Sequence, residues 1–387
     1  MSKNPQSKSI WLVYASHKGG HTYPAKALTN YLNKYFGNIV SAYPVNILEY
    51  TSILSRAEKI GRWGDLKLRK IWKAGYKNLH KENKFFIHLW RSIEQGFFEL
   101  DQVTKRLLKH YPAPDLIISF QPELNIVARY FKRNFAVDFY TVIIDLVVHG
   151  LWKDPYVDYY FVYNEAMKED LIQRGVSPTQ ISVSGIPLRE QFTELNTKGN
   201  QKELRKQLKL ASELPTILIM GGLLGTMVDF FNVINSILKE NLTLQLLVVC
   251  GKNELAQKRA LEIKRQSRGP IYVYGTVDNI AELMFSSDLV ISKPGSVTIA
   301  EALALGKPML VITPEAGSAQ ELLFAQLLQK EKAGVWVTNV QEVGAELKKL
   351  LASPLILENL QQNAQRVGSH SLIANKIISE KIIDLLI

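Results

Sequence analysis

Residues 288–306 read Asp288-Leu289-Val290-Ile291-Ser292-Lys293-Pro294-Gly295-Ser296-Val297-Thr298-Ile299-Ala300-Glu301-Ala302-Leu303-Ala304-Leu305-Gly306. The apolar run before Ser292 has the length of a buried strand, Pro294 and Gly295 suit a tight turn, and the apolar text after Ser296 reads as a helix stopped by Gly306. Strand, turn and helix in direct succession predict one unit of an α/β sheet. Ser296 is placed to cap the first helical turn, leaving backbone N–H groups above the strand end, where phosphate binds well. Glu301 is a carboxylate inside an otherwise apolar helix. It suits a ligand with adjacent hydroxyls, such as a ribose, and the alternative at this point is an ordinary solvated glutamate.

Strands that alternate with helices extend from this unit in both directions. Thr216–Met220, Leu244–Cys250, Ile271–Tyr274, Met309–Ile312 and Val335–Val337 read as strands of one parallel sheet. Thr216–Met220 runs into Gly221-Gly222, a second glycine-bearing strand-to-helix turn suited to phosphate. Upstream, Ile10–Ala15, Asp115–Phe120, Asp138–Ile144, Asp158–Val162 and Ile181–Ser184 predict a second sheet, with helices over Pro24–Tyr35, Glu123–Asn134 and Asn164–Gly175. The expected fold class is α/β, two Rossmann-like domains with parallel sheets facing a cleft. The domains are expected at 1–189 and 215–358, joined by a polar linker at 190–214, with C-terminal helices at 359–387 packing back on the first domain.

The length of 387 residues suits two domains, and a 47% hydrophobic composition is enough for two cores. Cys250 is the only cysteine, which excludes an intramolecular disulfide and a cysteine-based zinc site. The polar start lacks a signal-peptide core, and no stretch reaches the ~20 apolar residues of a membrane-spanning helix. A cytoplasmic chain is therefore expected. Its net charge of +11 is concentrated between Ile53 and His110, where fourteen Lys and Arg face six Asp and Glu and three of the six tryptophans lie. Trp63, Lys67, Arg69, Lys70, Trp72 and Lys73 typify that stretch, which reads as a basic aromatic insertion able to lie on an anionic membrane surface. No nucleic-acid motif accompanies it, so nucleic acid is not expected as a partner. The alternative is a helical layer with a solvated cationic face.

At the end of the first strand comes Ser16-His17-Lys18-Gly19-Gly20-His21, a loop in which Gly19 and Gly20 permit close approach to backbone. His21 can act there as a general base near neutral pH, or simply hydrogen-bond the loop. A GxGxxG signature is missing, so a dinucleotide is not expected. After the strand ending in Asp145 comes a loop carrying His149 and Trp152, residue types that hold polar ligands.

Lys18-Gly19-Gly20-His21, Thr141–Leu146 with His149 and Trp152, Gly185-Ile186-Pro187-Leu188-Arg189 and Ser292–Glu301 occur in the same order in glycosyltransferase family 28, which the chain resembles over nearly its whole length. The middle section is most similar to the monogalactosyl- and processive glucosyl-diacylglycerol synthases. The Gly-Gly-His-x-x-x-Pro start is also similar to the peptidoglycan lipid-intermediate N-acetylglucosaminyltransferase. The resemblance implies a GT-B architecture and an inverting hexosyltransferase using a UDP-sugar, with a membrane lipid such as diacylglycerol or glycosyl-diacylglycerol as acceptor. It implies no cofactor, the UDP-sugar being a substrate, and a peripheral location on the inner face of the membrane; no DxD-type acidic cluster is evident in the sequence, so metal-independent stabilisation of the leaving group is expected.

On that resemblance the donor would be held by Gly222, Arg189, Thr276, Val277, Ser292, Pro294, Gly295, Ser296, Val297, Thr298, Glu301, Gln320 and Glu321. Glu301 would take the ribose, Gln320 and Glu321 the hexose hydroxyls, and the Thr276-Val277 backbone would lie by the uracil. Gly19, Gly20, His149 and Trp152 would serve the acceptor, with His21 or Asp145 as base. Leu223-Leu224 replaces a Ser-Gln pair of the peptidoglycan enzyme and so removes two side-chain donors. Three other readings remain open: a UDP-N-acetylglucosamine transferase acting on a polyprenyl-linked acceptor, a UDP-sugar 2-epimerase, and a non-catalytic UDP-sugar sensor.

Overall fold

The computed structural model describes residues 7–15, 20–51, 100–222, 229–313 and 319–386. It divides into two units, Met1–Arg189 with Ile373–Ile387, and Glu190–Leu372.

The first unit is built on β1 (Lys8–Tyr14), β2 (Val40–Asn46), β3 (Leu116–Ser119), β4 (Asp138–Val142), β5 (Tyr159–Val162) and β6 (Ile181–Val183), ordered β2-β1-β3-β4-β5-β6 and parallel throughout. Its described helices include α1 (Thr22–Phe36), α2 (Leu100–His110), α3 (Asn125–Asn134) and α4 (Glu165–Gln173). Central strands β3 and β5 are buried on both faces, as a sheet covered by crossover helices requires. Trp11 on β1 is fully buried, packs edge-on against Phe131 and donates its indole N–H to Pro112 O at 2.9 Å. Strand β2 was not legible in the sequence. It carries Pro44, which cannot donate to a ladder, and it occupies the sheet edge, where a missing donor is tolerated.

The second unit holds β7 (Thr216–Met220), β8 (Gln245–Val249), β9 (Ile271–Tyr274), β10 (Leu289–Ser292), β11 (Met309–Ile312) and β12 (Gly334–Val337). Their order is β12-β11-β10-β7-β8-β9, again parallel throughout. Residues 190–214, expected as a polar linker with a helix at Gln201–Leu208, carry α5 (Glu190–Lys198) and the expected α6 (Gln201–Gln207) inside this unit. Arg205 of α6 is buried and spends its guanidinium on Ser286 O, Ser212 O and Asp288 Oδ2 at 2.9, 2.9 and 2.7 Å. Asp288 Oδ2 also accepts Thr216 N at 2.8 Å, so one carboxylate ties α6 to the starts of β7 and β10.

The remaining helices are α7 (Phe230–Lys239), α8 (Glu254–Gln266), α9 (Ile280–Ser286), α10 (Ser296–Ala304), α11 (Ala319–Lys330), α12 (Val343–Leu351), α13 (Pro354–Leu372) and α14 (Ala374–Leu386). The helical run expected over 359–387 is divided. Helix α13 stays with the second unit, whereas α14 belongs to the first, where it packs on α1. Asn375 Nδ2 donates to Leu188 O at 2.7 Å, and the Lys381 ammonium lies 5.5 Å from the centre of the Tyr159 ring.

Candidate functional site

In a doubly wound sheet the loops leaving two neighbouring strands diverge where the strand order reverses, and ligands bind in the crevice so formed. Counted within the second unit, its order is the dinucleotide-fold order 3-2-1-4-5-6, which reverses between β7 and β10. Gly222 follows β7, and the Ser292–Thr298 turn follows β10. Gly222 has φ +72°, a conformation natural to glycine, and a Cβ there would meet no described residue within 4 Å, which suits the approach of a ligand to the backbone.

Ser296 was expected to cap the helix after β10. In the structure Gly295 is the N-cap residue, with no side-chain cap bond, and Ser296 is already the first helical residue. A glycine cap offers no acceptor to the first-turn amides, which keeps the N–H groups of Ser296, Val297 and Thr298 available for an anion. Pro294 precedes them, and Ser292 is buried at the strand end. Glu301 is 5% exposed, which removes the reading of a solvated surface glutamate. Helix α10 is seated by α13, whose Gly368 lies so close to Leu303 that a Cβ would come within 2.1 Å of the Leu303 carbonyl carbon.

Gln320 and Glu321 open α11, and Thr276 and Val277 follow β9 at the sheet edge. Glu321 Oε1 lies 3.5 Å from Lys293 Nζ. Lys293 was not singled out in the sequence, although it sits inside the Ser292–Glu301 turn; the ion pair brings a cation to the mouth of that turn and ties it to α11.

The first unit has the flavodoxin-like order 2-1-3-4-5 extended by one strand, reversing between β1 and β3. Gly20 and His21 follow β1, and His21 is the N-cap residue of α1. Gln121, after β3, accepts the Ala15 amide with Oε1 and so fastens the two strand ends to each other. The Arg189 guanidinium lies 4.5 Å from the centre of the Tyr23 ring, two residues after His21. Arg189 is therefore placed in the first unit, at the start of α1. Tyr23 escaped sequence reading because the stacking pairs positions far apart in the chain.

At the end of β4 the chain folds Asp145, His149 and Trp152 into a buried cluster, all three at most 6% exposed. Trp152 Nε1 donates to Asp145 Oδ2 at 3.1 Å. The Leu151 amide donates to His149 Nδ1 at 3.4 Å, and His149 Nε2 lies 3.6 Å from Asp145 Oδ2. The His149 and Trp152 rings lie 5.8 Å apart, tilted by 42°. The three residues thus form one unit around a carboxylate.

Gly19 and the expected membrane residues Trp63, Lys67, Arg69, Lys70, Trp72 and Lys73 lie outside the described residues, as do Leu223 and Leu224. Among the described residues no group of three or more His, Cys, Asp or Glu is placed to hold a metal ion, and no helix is long and apolar enough to cross a membrane.

Comparison with known proteins matches residues 21–188 to the monogalactosyldiacylglycerol (MGDG) synthase family and residues 216–378 to the glycosyltransferase family 28 C-terminal domain. The chain is 26% identical to the processive diacylglycerol beta-glucosyltransferase of Bacillus licheniformis, over 98% of this chain and 95% of that protein. Among solved structures it resembles MurG of Acinetobacter baumannii, with TM-score 0.57 and 14% identity over 97% of this chain and 99% of that one. It also resembles the UDP-GlcNAc 2-epimerase of Neisseria meningitidis bound to UDP-GlcNAc, with TM-score 0.60 and 15% identity over 97% and 100%. The architecture is that of the GT-B fold, two parallel six-stranded α/β units, as expected.

Proposed function

The chain belongs to glycosyltransferase family 28, and from that premise we propose that it moves a hexose from a UDP-sugar to a membrane lipid, diacylglycerol or a glycosyl-diacylglycerol, with inversion at the anomeric carbon. The observation that carries the donor half is the glycine-capped start of α10 beside buried Glu301 at the strand-order reversal of the second unit. The first-turn N–H groups meet the diphosphate and Glu301 accepts the ribose hydroxyls. The positive end of the helix favours the charge that grows on the leaving UDP. Gln320 and Glu321 take the hexose hydroxyls, with Lys293 holding Glu321 in place. Thr276 and Val277 flank the uracil.

The first unit serves the acceptor. Inversion by direct displacement needs a base for the acceptor hydroxyl and no covalent nucleophile on the protein. His21, at the end of β1, takes that proton, and the Arg189 guanidinium stacked on Tyr23 supplies positive charge close by. Asp145 is already committed to Trp152 and His149, which favours it as the polar support of the acceptor pocket over the role of base. The basic aromatic stretch 53–110 brings the enzyme to an anionic lipid surface on the inner face of the membrane.

The test is a matrix of UDP-glucose, UDP-galactose and UDP-N-acetylglucosamine against diacylglycerol, polyprenyl-linked acceptors and total lipid extract, with products identified by mass and anomeric configuration. An inverted glycosyl-diacylglycerol is expected. Retention of configuration would sink the displacement mechanism, conversion of free UDP-N-acetylglucosamine would favour the epimerase, and tight UDP-sugar binding without turnover the sensor.

A further inference from the structure

We infer that Asn125 is a hydroxyl-binding residue of the acceptor pocket, its buried amide taking a polyol hydroxyl of the lipid headgroup, from glycerol or from hexose. The inference rests on the reading of the first unit as the acceptor side. Asn125 is the first residue of α3, at the end of the short connection from β3, and so stands at the strand-order reversal of the first unit, where β1 and β3 are neighbours. It is 1% exposed, and among the described residues neither Oδ1 nor Nδ2 has a hydrogen-bond partner.

A primary amide offers two donors and two acceptor positions, and a buried one left without any partner is costly enough that native proteins seldom keep it. No local duty explains it. The Asn125 N–H is bonded to Pro122 O, and α3 has no side-chain cap. The neighbouring polar side chains are already engaged: Ser119 Oγ donates to Gln121 O at 2.7 Å, and Gln121 Oε1 accepts the Ala15 amide. These contacts fix the ends of β1 and β3 and leave the Asn125 amide uncommitted among the described residues.

The chemistry of an amide selects its ligand. An anion would satisfy only Nδ2, and an acyl chain neither atom. A hydroxyl both donates and accepts, and two adjacent hydroxyls satisfy Oδ1 and Nδ2 together. Glycerol and hexose headgroups carry that pattern.

The experiment compares wild type with Asn125→Leu, full length, at saturating UDP-sugar and varied dioleoylglycerol in neutral detergent micelles. Leucine keeps the volume and removes the amide. The expected result is an acceptor KM raised about tenfold, equivalent to ~1.4 kcal/mol, with the donor KM and acceptor-free UDP release unchanged and the urea midpoint unchanged or higher. An acceptor KM within twofold of wild type overturns the inference and leaves the amide as the partner of a trapped water. Should the leucine protein fail to fold, Asn125→Asp, which keeps the shape and lacks the NH2 donors, carries the same comparison. Absence of transfer by wild type to any lipid defeats the functional reading alone. Thermal stabilisation by octyl glucoside then decides Asn125: loss of it in the variant supports the inference, and equal stabilisation overturns it.

Discussion

Trp152 donates its indole N–H to Asp145 Oδ2 at 3.1 Å, in a setting where both side chains are buried. A hydrogen bond to a buried carboxylate is worth more than one between neutral groups, because the charge has no water to fall back on. Trp152→Phe is expected to cost about 1–3 kcal/mol, measured by urea denaturation. Part of that is lost ring volume, so the informative quantity is the coupling with Asp145→Asn. A coupling of at least ~0.5 kcal/mol in the double-mutant cycle is expected, and strict additivity would show that the two residues act independently.

Gly368 supports the donor turn from behind. A Cβ at this position would approach Leu303 O to 2.3 Å and Ala304 N to 2.4 Å, and both are backbone atoms that cannot rotate away. Gly368→Ala must therefore push α13 off α10. The expected cost is on the order of 1–3 kcal/mol, as for other overpacked contacts. UDP affinity should fall with it, since α10, the helix that α13 seats, carries both Glu301 and the glycine-capped first turn. Calorimetric titration with UDP on folded variant checks this; unchanged affinity would uncouple α13 from the donor site.

Both sheets were legible because their central strands are continuous apolar runs, Thr216–Met220 and Met309–Ile312 among them, bounded by glycine and polar turns. Strand β2 escaped because Pro44 argues against a strand, and only its edge position makes the proline harmless. Glu301 could be recognised, since a carboxylate stands out in an apolar helix. Whether Ser296 or Gly295 caps that helix depends on one residue of phase, which a sequence pattern does not fix. The stacking of Arg189 on Tyr23 and the unsatisfied amide of Asn125 are products of tertiary packing and leave no periodic trace.

His21 stands at the N-cap of α1 without a side-chain cap bond, so its replacement does not remove a capping interaction. His21→Ala is expected to lower transfer to the lipid acceptor by roughly 10²–10⁴-fold, the range for loss of a general base. UDP-sugar affinity should change by less than about twofold, well under the 1.4 kcal/mol of a tenfold effect. Rates measured at saturating donor, together with equilibrium binding of the donor, separate the two effects. Unchanged transfer would move the proton-accepting role to another group.

Lys307 is buried at 8% exposure after α10, its ammonium 5.1 Å from the centre of the Phe285 ring. Burial pushes its pKa down to about 8 from the ordinary 10.5; the Asp288 carboxylate acts against that shift, and the Arg205 guanidinium adds to it. Below pH 8 both folded and unfolded chains carry the proton, and the folded state bears the full cost of a buried charge. Between pH 8 and 10.5 the folded chain releases the proton first, the unfolded state binds more protons, and stability contributed by this group rises with pH. The cost at neutral pH is on the order of 3 kcal/mol. Lys307→Met, which keeps the aliphatic stem over Phe285, should therefore stabilise the protein by about that amount at pH 7 and by less than about 1 kcal/mol at pH 10. Urea denaturation of both proteins at the two pH values checks this, and an equal gain at pH 7 and pH 10 would show that the ammonium is not the source of the effect.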